Sequence, residues 1–274
     1  MLSETAYAKV NLALHVRARR PDGYHELESL FAFCADGDGL RGSARDDGEI
    51  VLTIEGDFAD GLSAGEDNLV MRAARALQAA SSTQFGADLI LAKQLPIASG
   101  IGGGSADAAA ALRLLVKLWD IRPMELDFPA IAASLGADVP ACLGSQTVFG
   151  KGVGERLETV DLDLEGMPIL LVNPLVECPT GPVFKEWDGI DRGPLDPADW
   201  RRGRNDLAAP AIALVPEIDE VLAVLRAQLP SLARMSGSGA TCFALFESED
   251  ERDAAAERIE DDHPDWWVMA SELR

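Results

Sequence analysis

A glycine cluster in the middle of the chain has the residue types and spacing of an anion-binding loop. It runs from Leu95 to Asp107 and reads Leu-Pro-Ile-Ala-Ser-Gly-Ile-Gly-Gly-Gly-Ser-Ala-Asp. Glycine has no Cβ, so a backbone rich in glycine adopts positive φ angles and approaches an anion closely. A helix that begins there adds unpaired N–H groups and a partial positive charge. The cluster therefore predicts a phosphate-binding loop.

Two common glycine-loop motifs do not fit this cluster. A P-loop carries Lys and then Ser or Thr after its last glycine, whereas Gly104 is followed by Ser105 and Ala106. The dinucleotide-binding fingerprint also fails, because its third glycine position, counted from Gly100, is Ser105. A tight packing turn that binds nothing is the other interpretation, and the glycine spacing alone does not decide between the two.

A second candidate lies near the start of the chain, where apolar residues occupy every second position. This alternation over residues 6–16 predicts a β-strand. Lys9 and Asn11 share the other face, about 6.6 Å apart along the strand, and could contact one ligand together. Alternation of this kind, taken alone, favours an ordinary strand face that meets water.

Two further candidates come from turns. The sequence Pro-Asp-Gly at residues 21–23 predicts a turn that presents Tyr24 and His25 side by side. Such a pair can enclose a flat ring or can simply close a loop onto the core. Asp138 lies between a helix stop at Gly136 and a proline, where a short acidic side chain commonly caps a helix.

The glycine cluster joins a predicted strand to a predicted helix. Residues 87–93 form a short apolar run, which predicts the strand, and the apolar residues of 107–119 recur at helical spacing. Asp67-Asn68 caps another helix, and a short helical pattern at 128–135 ends at Gly136. Residues 37–65 read as a surface excursion around one strand at 49–54.

The composition changes near residue 155, where we place a domain boundary that separates residues 1–155 from 156–274. The second part predicts a strand at 168–172, a helix that opens at Asn205, and a helix at 218–229. A second glycine loop, Met235–Ala240, then leads into a strand at 241–246. An acidic helix at 249–261 and a strand at 266–270 close the chain.

Composition narrows the class of protein. The 274 residues are 47% hydrophobic, enough for one large domain or two modest ones. A formal net charge of −22 repels nucleic acid and anionic membrane surfaces, so we expect neither as a partner. No export signal and no apolar stretch of 18 residues is found, and we expect a cytoplasmic enzyme. The four isolated cysteines and three scattered histidines disfavour a thiolate or imidazole metal site and predict free, mostly buried thiols.

Three separated segments resemble the family of small-molecule kinases that contains galactokinase, homoserine kinase, mevalonate kinase and phosphomevalonate kinase. They are residues 6–12, residues 96–106 and residues 235–240, and they occur in the family's order. Residues 20–27 and 136–140 narrow the match to the branch of non-mevalonate isoprenoid synthesis whose acceptor carries a cytidine diphosphate. The resemblance covers essentially the whole chain.

The resemblance implies an α+β, two-domain small-molecule kinase fold. Its N-terminal half is ribosomal-S5-like and binds ATP, its C-terminal half is ferredoxin-like, and the active site lies in the cleft between them. Two positions within the middle segment, Ala98 and Ser99, are often glycine in the family. Because both precede the part of the loop expected to contact phosphate, we expect little effect on phosphate binding.

The family's functional residues transfer to this sequence by motif. The catalytic pair is Lys9 and Asp138. The residues expected to bind ATP are Pro96, Ile97, Ala98, Ser99, Gly100, Ile101, Gly102, Gly103, Gly104, Ser105 and Ala106, with Asn68 and Lys93 flanking the adenine. The residues expected to bind the acceptor are Asn11, Tyr24, His25, Thr180 and Phe184.

The resemblance also implies a mechanism in which the protein positions groups and neutralises charge, as phosphoryl transfer requires. Asp138 would accept the proton of the acceptor hydroxyl, and Lys9 would keep that carboxylate ionised and acidify the hydroxyl. ATP would be the co-substrate, with Mg²⁺ bridging its phosphates and the Ser105 hydroxyl as one metal ligand. Stacking on Tyr24 and His25 would select the cytosine ring.

Two alternatives remain at this point. One is a kinase of the same family that acts on homoserine or mevalonate, against which the Tyr24-His25 turn argues. The other is a module that senses nucleotide without catalysis, against which the presence of both Lys9 and Asp138 argues. No obligate protein partner is inferred.

Overall fold

The computed structural model describes the backbone of residues 1–274 and every side chain except that of Glu125. Helices and strands are mixed along the chain, which makes it an α+β protein. The strands are β1 (Leu2–Arg19), β2 (His25–Arg45), β3 (Ile50–Glu55), β4 (Gly86–Ala92), β5 (Val148–Gly152), β6 (Arg156–Thr159), β7 (Pro168–Asn173), β8 (Leu232–Met235), β9 (Cys242–Leu245) and β10 (Trp267–Glu272). The helices are α1 (Leu69–Ser81), α2 (Gly103–Leu118), α3 (Phe128–Leu135), α4 (Val139–Gly144), α5 (Thr180–Lys185), α6 (Ala208–Leu214), α7 (Glu217–Ala227) and α8 (Glu249–Asp262), with short 3-10 helices at Pro123–Glu125 and Pro197–Arg202.

Two compact units divide the chain, and each is assembled from several segments. The first unit consists of Met1–Ala8, Asp36–Ile97 and Gly102–Ser145, and the second of Lys9–Ala35, Ala98–Ile101 and Gln146–Arg274. The strands β1 and β2 and the glycine cluster each contribute residues to both units. The predicted domain boundary near residue 155 separates two continuous halves of the chain, unlike these units, and it stays a prediction.

In the first unit a small sheet carries a layer of helices. Strand β3 runs parallel to β4, and β4 pairs antiparallel with the second half of β2, from Gly39 to Arg45. Helix α1 packs against α2, whose alanine-rich and leucine-rich faces are buried. Gly37 allows β2 to approach β1 closely, because a Cβ there would lie 2.0 Å from the carbonyl oxygen of Ala6.

In the second unit a four-stranded antiparallel sheet has the order β10, β7, β9, β8. Every residue of β7 is buried, and α7 and α8 both contact this strand. The first half of β2 pairs with β5, which forms a hairpin with β6. The connector before α6 is fixed by His15, whose Nδ1 donates to Gly193 O at 3.1 Å and whose Nε2 accepts from Arg204 N at 3.3 Å.

Most elements agree with the periodicity of the sequence. The helix at 128–135 has the predicted bounds, Asn68 caps α1 as predicted, and the strand at 87–93 corresponds to β4. All four cysteines are free and buried, also as predicted. Helix α2 begins at Gly103, four residues before the predicted start, because the end of the glycine cluster itself forms the first helical turn.

Two predictions were wrong. Residues 37–65 are not a surface excursion around one strand, because β2 extends through Arg45. The glycines of β2 suggested a loop, but they allow close packing between strands. The face of β1 that carries Lys9, Asn11 and His15 does not meet water, since each of these residues is less than 5% exposed. No helix within the described residues is both long and apolar enough to cross a membrane.

Candidate active site

The glycine cluster has the backbone geometry of an anion-binding loop. Gly100 and Gly102 have φ angles of 79° and 66°, in the left-handed region that favours glycine. The N–H of Ala106 makes the first backbone hydrogen bond of α2, to Gly102 O at 2.9 Å. The three N–H groups before it precede the helical ladder, at the positive end of a 16-residue helix.

Ala98 occupies one of the two positions that are often glycine in the resembling family. Its φ angle is 52°, which is unusual for a residue with a Cβ. The alanine is therefore strained where a glycine would not be.

In the second unit, the second glycine loop packs directly against residues 98–101. The Ser236 hydroxyl donates to Gly100 O at 3.1 Å, and Thr241 N donates to Ser99 O at 3.1 Å. A Cβ on Gly100 would lie 2.7 Å from the carbonyl oxygens of both Ser236 and Gly239. Glycine at position 100 is thus required by packing as well as by its φ angle.

Lys9 and Asn11 lie beside these loops on β1. The N–H of Lys9 donates to Ile101 O at 3.0 Å, and its Nζ lies 4.6 Å from the centroid of the Phe31 ring. The N–H of Asn11 donates to the Ser236 hydroxyl at 3.1 Å. Lys9 and Asn11 therefore lie at one location, and their contact with one ligand stays a prediction.

Only one of the two polar atoms of the Asn11 side chain has a hydrogen-bond partner. Its Nδ2 donates to the Ser29 hydroxyl at 2.7 Å, and that hydroxyl donates in turn to Ala13 O. Its Oδ1 is buried and has no hydrogen-bond partner among the described residues. A buried carbonyl oxygen without a partner is costly, and a substrate hydroxyl would satisfy it.

A cavity of about 490 Å³ opens in the second unit, a volume in the usual range for small-molecule sites. Four of the five residues predicted to bind the acceptor line it, namely Tyr24, His25, Thr180 and Phe184. Six other lining residues were not predicted from the sequence: Arg19, Gly23, Leu27, Val153, Gly181 and Lys185. Gly23 lies in the predicted turn and Leu27 in the motif of residues 20–27, but no single pattern groups the six, because they come from five separate elements and turns.

The cavity has an aromatic wall. The centroids of the His25 and Phe184 rings are 5.1 Å apart, and those of His25 and Trp187 are 5.7 Å apart with the two rings nearly perpendicular. Tyr24 is 64% exposed, so its ring is available to a ligand. These rings suit a planar group, as predicted for the base of a nucleotide.

His25 is a neutral ring at neutral pH. Burial, together with the nearby Arg19 cation, lowers the pKa of His25. Arg19 Nε donates to His25 Nε2 at 3.3 Å, which a protonated imidazole could not accept.

The cavity is also connected to the second glycine loop. The hydroxyls of Thr180, at the start of α5, and Ser238 are 2.9 Å apart. Cys178 Sγ donates to Ser238 O at 3.2 Å. The loop is braced from the other side by Asn205, whose Nδ2 donates to Met235 O and Gly237 O, both at 2.8 Å.

In the first unit, Lys93 lies in a buried charge cluster. Its Nζ donates to Asp107 Oδ2 at 2.9 Å and to the carboxylate of Asp38. Asp38 is fully buried and also accepts from the N–H groups of Gln94 and Leu95. A Cβ on Gly103 would lie 3.0 Å from Lys93 Nζ, so the cluster directly adjoins the first residue of α2.

Asp107 is the unbalanced member of this cluster. Burial raises its pKa to about 7, and the neighbouring Asp38 adds to the increase, while Lys93 opposes it. Its Oδ1 is buried and has no partner among the described residues. Neither aspartate was among the predicted site residues, although an acidic residue at the start of an otherwise apolar helix was a detectable signal.

Asn68 and Asp138 are the N-cap residues of α1 and α4, and only the Asn68 side chain makes a capping hydrogen bond. Asn68 Oδ1 accepts from Val70 N and its Nδ2 donates to Ser63 O, both at 2.8 Å. Asp138 precedes α4, but its side chain makes no capping hydrogen bond to that helix. The capping interpretation of Asp138 is therefore not what the structure shows.

Ser105 is the residue that the family resemblance implies as a metal ligand. Its hydroxyl makes no hydrogen bond within the described residues, and no group of three His, Cys, Asp or Glu side chains suited to a metal occurs there either. Mg²⁺ commonly keeps several waters and uses one or two protein ligands plus substrate phosphates. The single hydroxyl on the first turn of α2 fits that pattern.

Family comparisons cover both parts of the chain. The family described as GHMP kinases N terminal domain matches residues 68–146, and the one described as GHMP kinases C terminal matches residues 193–265. A protein of Rhizorhabdus wittichii named 4-diphosphocytidyl-2-C-methyl-D-erythritol kinase is 54% identical, over 99% of this chain and 94% of its own. One of the same name from Sphingopyxis alaskensis is 50% identical, over 100% and 99%.

Solved structures agree with these sequence relations. A crystal structure of 4-(cytidine 5'-diphospho)-2C-methyl-D-erythritol kinase has a TM-score of 0.84 and 35% identity, and it covers 99% of both chains. Homoserine kinase from Cytophaga hutchinsonii shares the fold, with a TM-score of 0.66 at 16% identity over 100% of this chain and 96% of its own. The two-domain α+β kinase fold implied by the motifs is therefore confirmed.

Proposed function

Since the chain belongs to the 4-diphosphocytidyl-2-C-methyl-D-erythritol kinases of the GHMP kinase family, we propose that it transfers a phosphoryl group from ATP to the 2-hydroxyl of 4-(cytidine 5'-diphospho)-2-C-methyl-D-erythritol. It is a kinase with an alcohol acceptor, and its reaction lies in non-mevalonate isoprenoid synthesis. The observation that carries the acceptor assignment is the cavity that brings Tyr24, His25, Thr180 and Phe184 together. We keep the domain division near residue 155 as part of this proposal.

On the donor side, the glycine cluster and Ser105 hold the phosphates of ATP. The N–H groups at the start of α2 supply donors and a partial positive charge, which an anion needs in a protein of net charge −22. Mg²⁺, when bound with the nucleotide, neutralises charge on the phosphates. Asn68 and Lys93 remain proposed contacts of the adenine, with Lys93 acting from within its cluster with Asp38 and Asp107.

On the acceptor side, Asp138 accepts the hydroxyl proton and Lys9 stabilises the charge that develops on the oxygen. The buried location of Lys9 supports this role, since a charge stabilises a transition state more strongly where water is excluded. Asn11 orients the acceptor through its unpartnered Oδ1.

The other members of the family act on small acceptors such as homoserine or mevalonate. The aromatic wall of the cavity favours a nucleotide-bearing acceptor over these, because neither has a ring to stack. The test is an ATP-consumption assay with each acceptor at matched concentration. We expect turnover with the cytidine-bearing acceptor; turnover with homoserine or mevalonate alone would overturn the proposal.

Variants of Asp138 and Lys9 separate catalysis from binding. We expect Asp138→Ala to lower kcat by about two to four orders of magnitude while ATP binding persists, because a general base acts on the chemical step. Lys9→Met keeps the length of the side chain and should lower kcat by about two to three orders of magnitude. If the protein were a nucleotide sensor without catalysis, the native protein itself would show no turnover.

Matched controls exist for both variants. Lys151 also lies over a phenylalanine ring, with Nζ 5.1 Å from the Phe149 centroid, but it is bound to Glu158 at the surface. Asp161 is an exposed carboxylate in a loop. Lys151→Met and Asp161→Ala should leave kcat within about twofold. Normal turnover in Asp138→Ala would remove that residue from the mechanism.

A further inference from the structure

Arg19 bridges two parts of the acceptor cavity at the end of β1. Its Nε donates to His25 Nε2 at 3.3 Å, and its Nη2 donates to the backbone oxygen of Lys185 at 3.0 Å. The second bond ties the guanidinium to the end of α5, so the first bond has a fixed direction. Arg19 thus acts on the cavity through His25.

This hydrogen bond determines which nitrogen of His25 carries the proton. A neutral imidazole has one N–H, and the nitrogen that accepts a hydrogen bond is the one without it. Because guanidinium can only donate, Nε2 must be the acceptor and Nδ1 the donor. The ring stays neutral because it is buried and because the Arg19 cation beside it disfavours a further positive charge.

The Nδ1 donor is available to a ligand. Within the described part of the chain His25 makes no other side-chain hydrogen bond, and its Nδ1 does not belong to the buried polar atoms that lack a partner. The ring itself lines the cavity, where contacts with Phe184 and Trp187 hold its plane. The Nδ1–H is therefore neither bonded within the described residues nor buried without a partner, and it belongs to a ring that lines the cavity.

A fixed donor distinguishes the two common pyrimidines. Cytosine has acceptors at N3 and O2 and a donor amino group at C4, whereas uracil carries N–H at N3. A donor placed at N3 complements cytosine and confronts a second donor on uracil. Leaving two donors face to face costs about 1–3 kcal/mol, which is about 5- to 150-fold in specificity.

We propose that Arg19 is a positioning residue that holds His25 in the Nδ1–H tautomer and thereby makes the acceptor cavity select cytosine over uracil. This inference rests on the proposed function, because it assigns the base specificity of the same cavity. It requires no contact between Arg19 and the base.

The variant Arg19→Met tests the inference because it removes every donor and keeps an apolar side chain of similar reach. The measurement is kcat/KM for the cytidine diphosphate acceptor and for its uridine diphosphate analogue. We expect the ratio of the two to fall by about tenfold, mainly through KM. The control is Arg20→Met, since Arg20 is the adjacent arginine, pairs with Asp22 and Glu26, and does not line the cavity.

A second measurement reads the tautomer without substrate. The chain has three histidines, so the imidazole ¹⁵N resonances of the native protein can be assigned by single substitutions. We expect a protonated Nδ1 at His25 in the native protein and in Arg20→Met, and a mixture of tautomers in Arg19→Met. Unchanged signals from His15 and His263 verify that the variant is folded.

The outcomes separate this inference from the proposed function. An Nε2–H tautomer in the native protein, or an unchanged cytidine-to-uridine ratio in a folded Arg19→Met, would overturn the role of Arg19 alone. Failure of the native protein to phosphorylate the cytidine-bearing acceptor would overturn the proposed function, and the ¹⁵N measurement would still decide the tautomer.

Discussion

At the scale of single residues, the most consequential arrangement in the first unit is the lysine held between two buried carboxylates. Lys93 balances one of the two charges, and the second carboxylate is left with a net cost because burial removes its hydration. The pKa of Asp107, about 7, expresses that cost, since the proton is retained where a solvated aspartate would lose it. The cluster adjoins the first residue of α2, so its charge state also bears on the anion-binding end of that helix.

The raised pKa predicts how Asp107 affects stability with pH. Between the ordinary value of 3.8 and about 7 the folded state holds a proton that the unfolded state has lost. The contribution of Asp107 is therefore fully present below pH 3.8 and is lost as the pH rises through 7. Asp107→Asn lacks this titration. From pH 4 to 7 the free energy of unfolding of the native protein should therefore fall, relative to that of Asp107→Asn, by about 1 kcal/mol per pH unit.

Urea unfolding of both proteins across this pH range measures the difference. The control is Asp88→Asn, which removes a carboxylate of the same unit that lies at the surface and pairs with Arg45. Its difference from the native protein should stay small over the range. A constant difference between Asp107→Asn and the native protein would show that Asp107 does not bind the extra proton.

At the scale of elements, the strand β1 and the two glycine loops explain how the candidate site is built. Lys9, Asn11 and the loop residues 98–101 are joined by backbone hydrogen bonds and by the Ser236 hydroxyl. The contacts are short because glycine occupies the points of closest approach. Small changes in those glycines should therefore act on the site and on stability together.

Gly100→Ala tests this dependence. The added Cβ would lie 2.7 Å from two carbonyl oxygens, and the φ angle of 79° is strained for alanine. We expect the free energy of unfolding to fall by at least about 2 kcal/mol and ATP binding to weaken, because the loop must move away from residues 236–239. Urea unfolding and nucleotide titration measure the two effects.

Gly144→Ala is the matched control. Gly144 ends α4, and a Cβ there would meet nothing within 4 Å. In a helix this change is expected to be neutral or to stabilise by about 0.5–1 kcal/mol. Equal stability losses in the two variants would contradict the packing argument.

At the scale of the whole molecule, the dominant property is the formal net charge of −22. Self-repulsion at this charge opposes the folded state, and salt relieves it by screening. Helix α8 concentrates the effect, because acidic residues occupy both its first and its last turn. Only those in the last turn also conflict with the helix dipole.

Two triple variants of α8 separate the dipole from the net charge. Glu260→Gln, Asp261→Asn and Asp262→Asn together should raise the free energy of unfolding by about 1–3 kcal/mol, since they remove exposed negative charge from the C-terminal end. Glu249→Gln, Asp250→Asn and Glu251→Asn remove the same charge from the N-terminal end, where it is favourable, and should not stabilise.

Thermal or urea unfolding at 0.05 and about 0.5 M NaCl provides the measurement for both. The native protein should be more stable at the higher salt concentration, and the gain should be smaller in the first triple variant. Equal stabilisation by both triple variants would assign the whole effect to net charge and none to the dipole.

Much of the protein was determined by local sequence. Helical spacing of apolar residues located α1 and α3, and a short apolar run located β4, because these patterns are properties of each element itself. The ordered motifs, through their resemblance to known kinases, led to the family and to four of the residues that line the acceptor cavity. Turn and glycine chemistry is local in the same sense, which is why the glycine cluster could be interpreted before its surroundings were known.

Only the tertiary structure decided what covers each element and which distant side chains meet. The second face of β1 is buried by parts of the chain that alternation does not report, so Lys9 and Asn11 resembled solvated residues. Lys93 meets Asp38 across 55 positions, and Ser236 meets Gly100 across 136. Arg19 is unremarkable in the sequence, and its bond to His25 exists only because the turn at residues 20–24 returns the chain to the end of β1. Contacts of this kind depend on chain reversal and packing, which spacing along one element cannot encode.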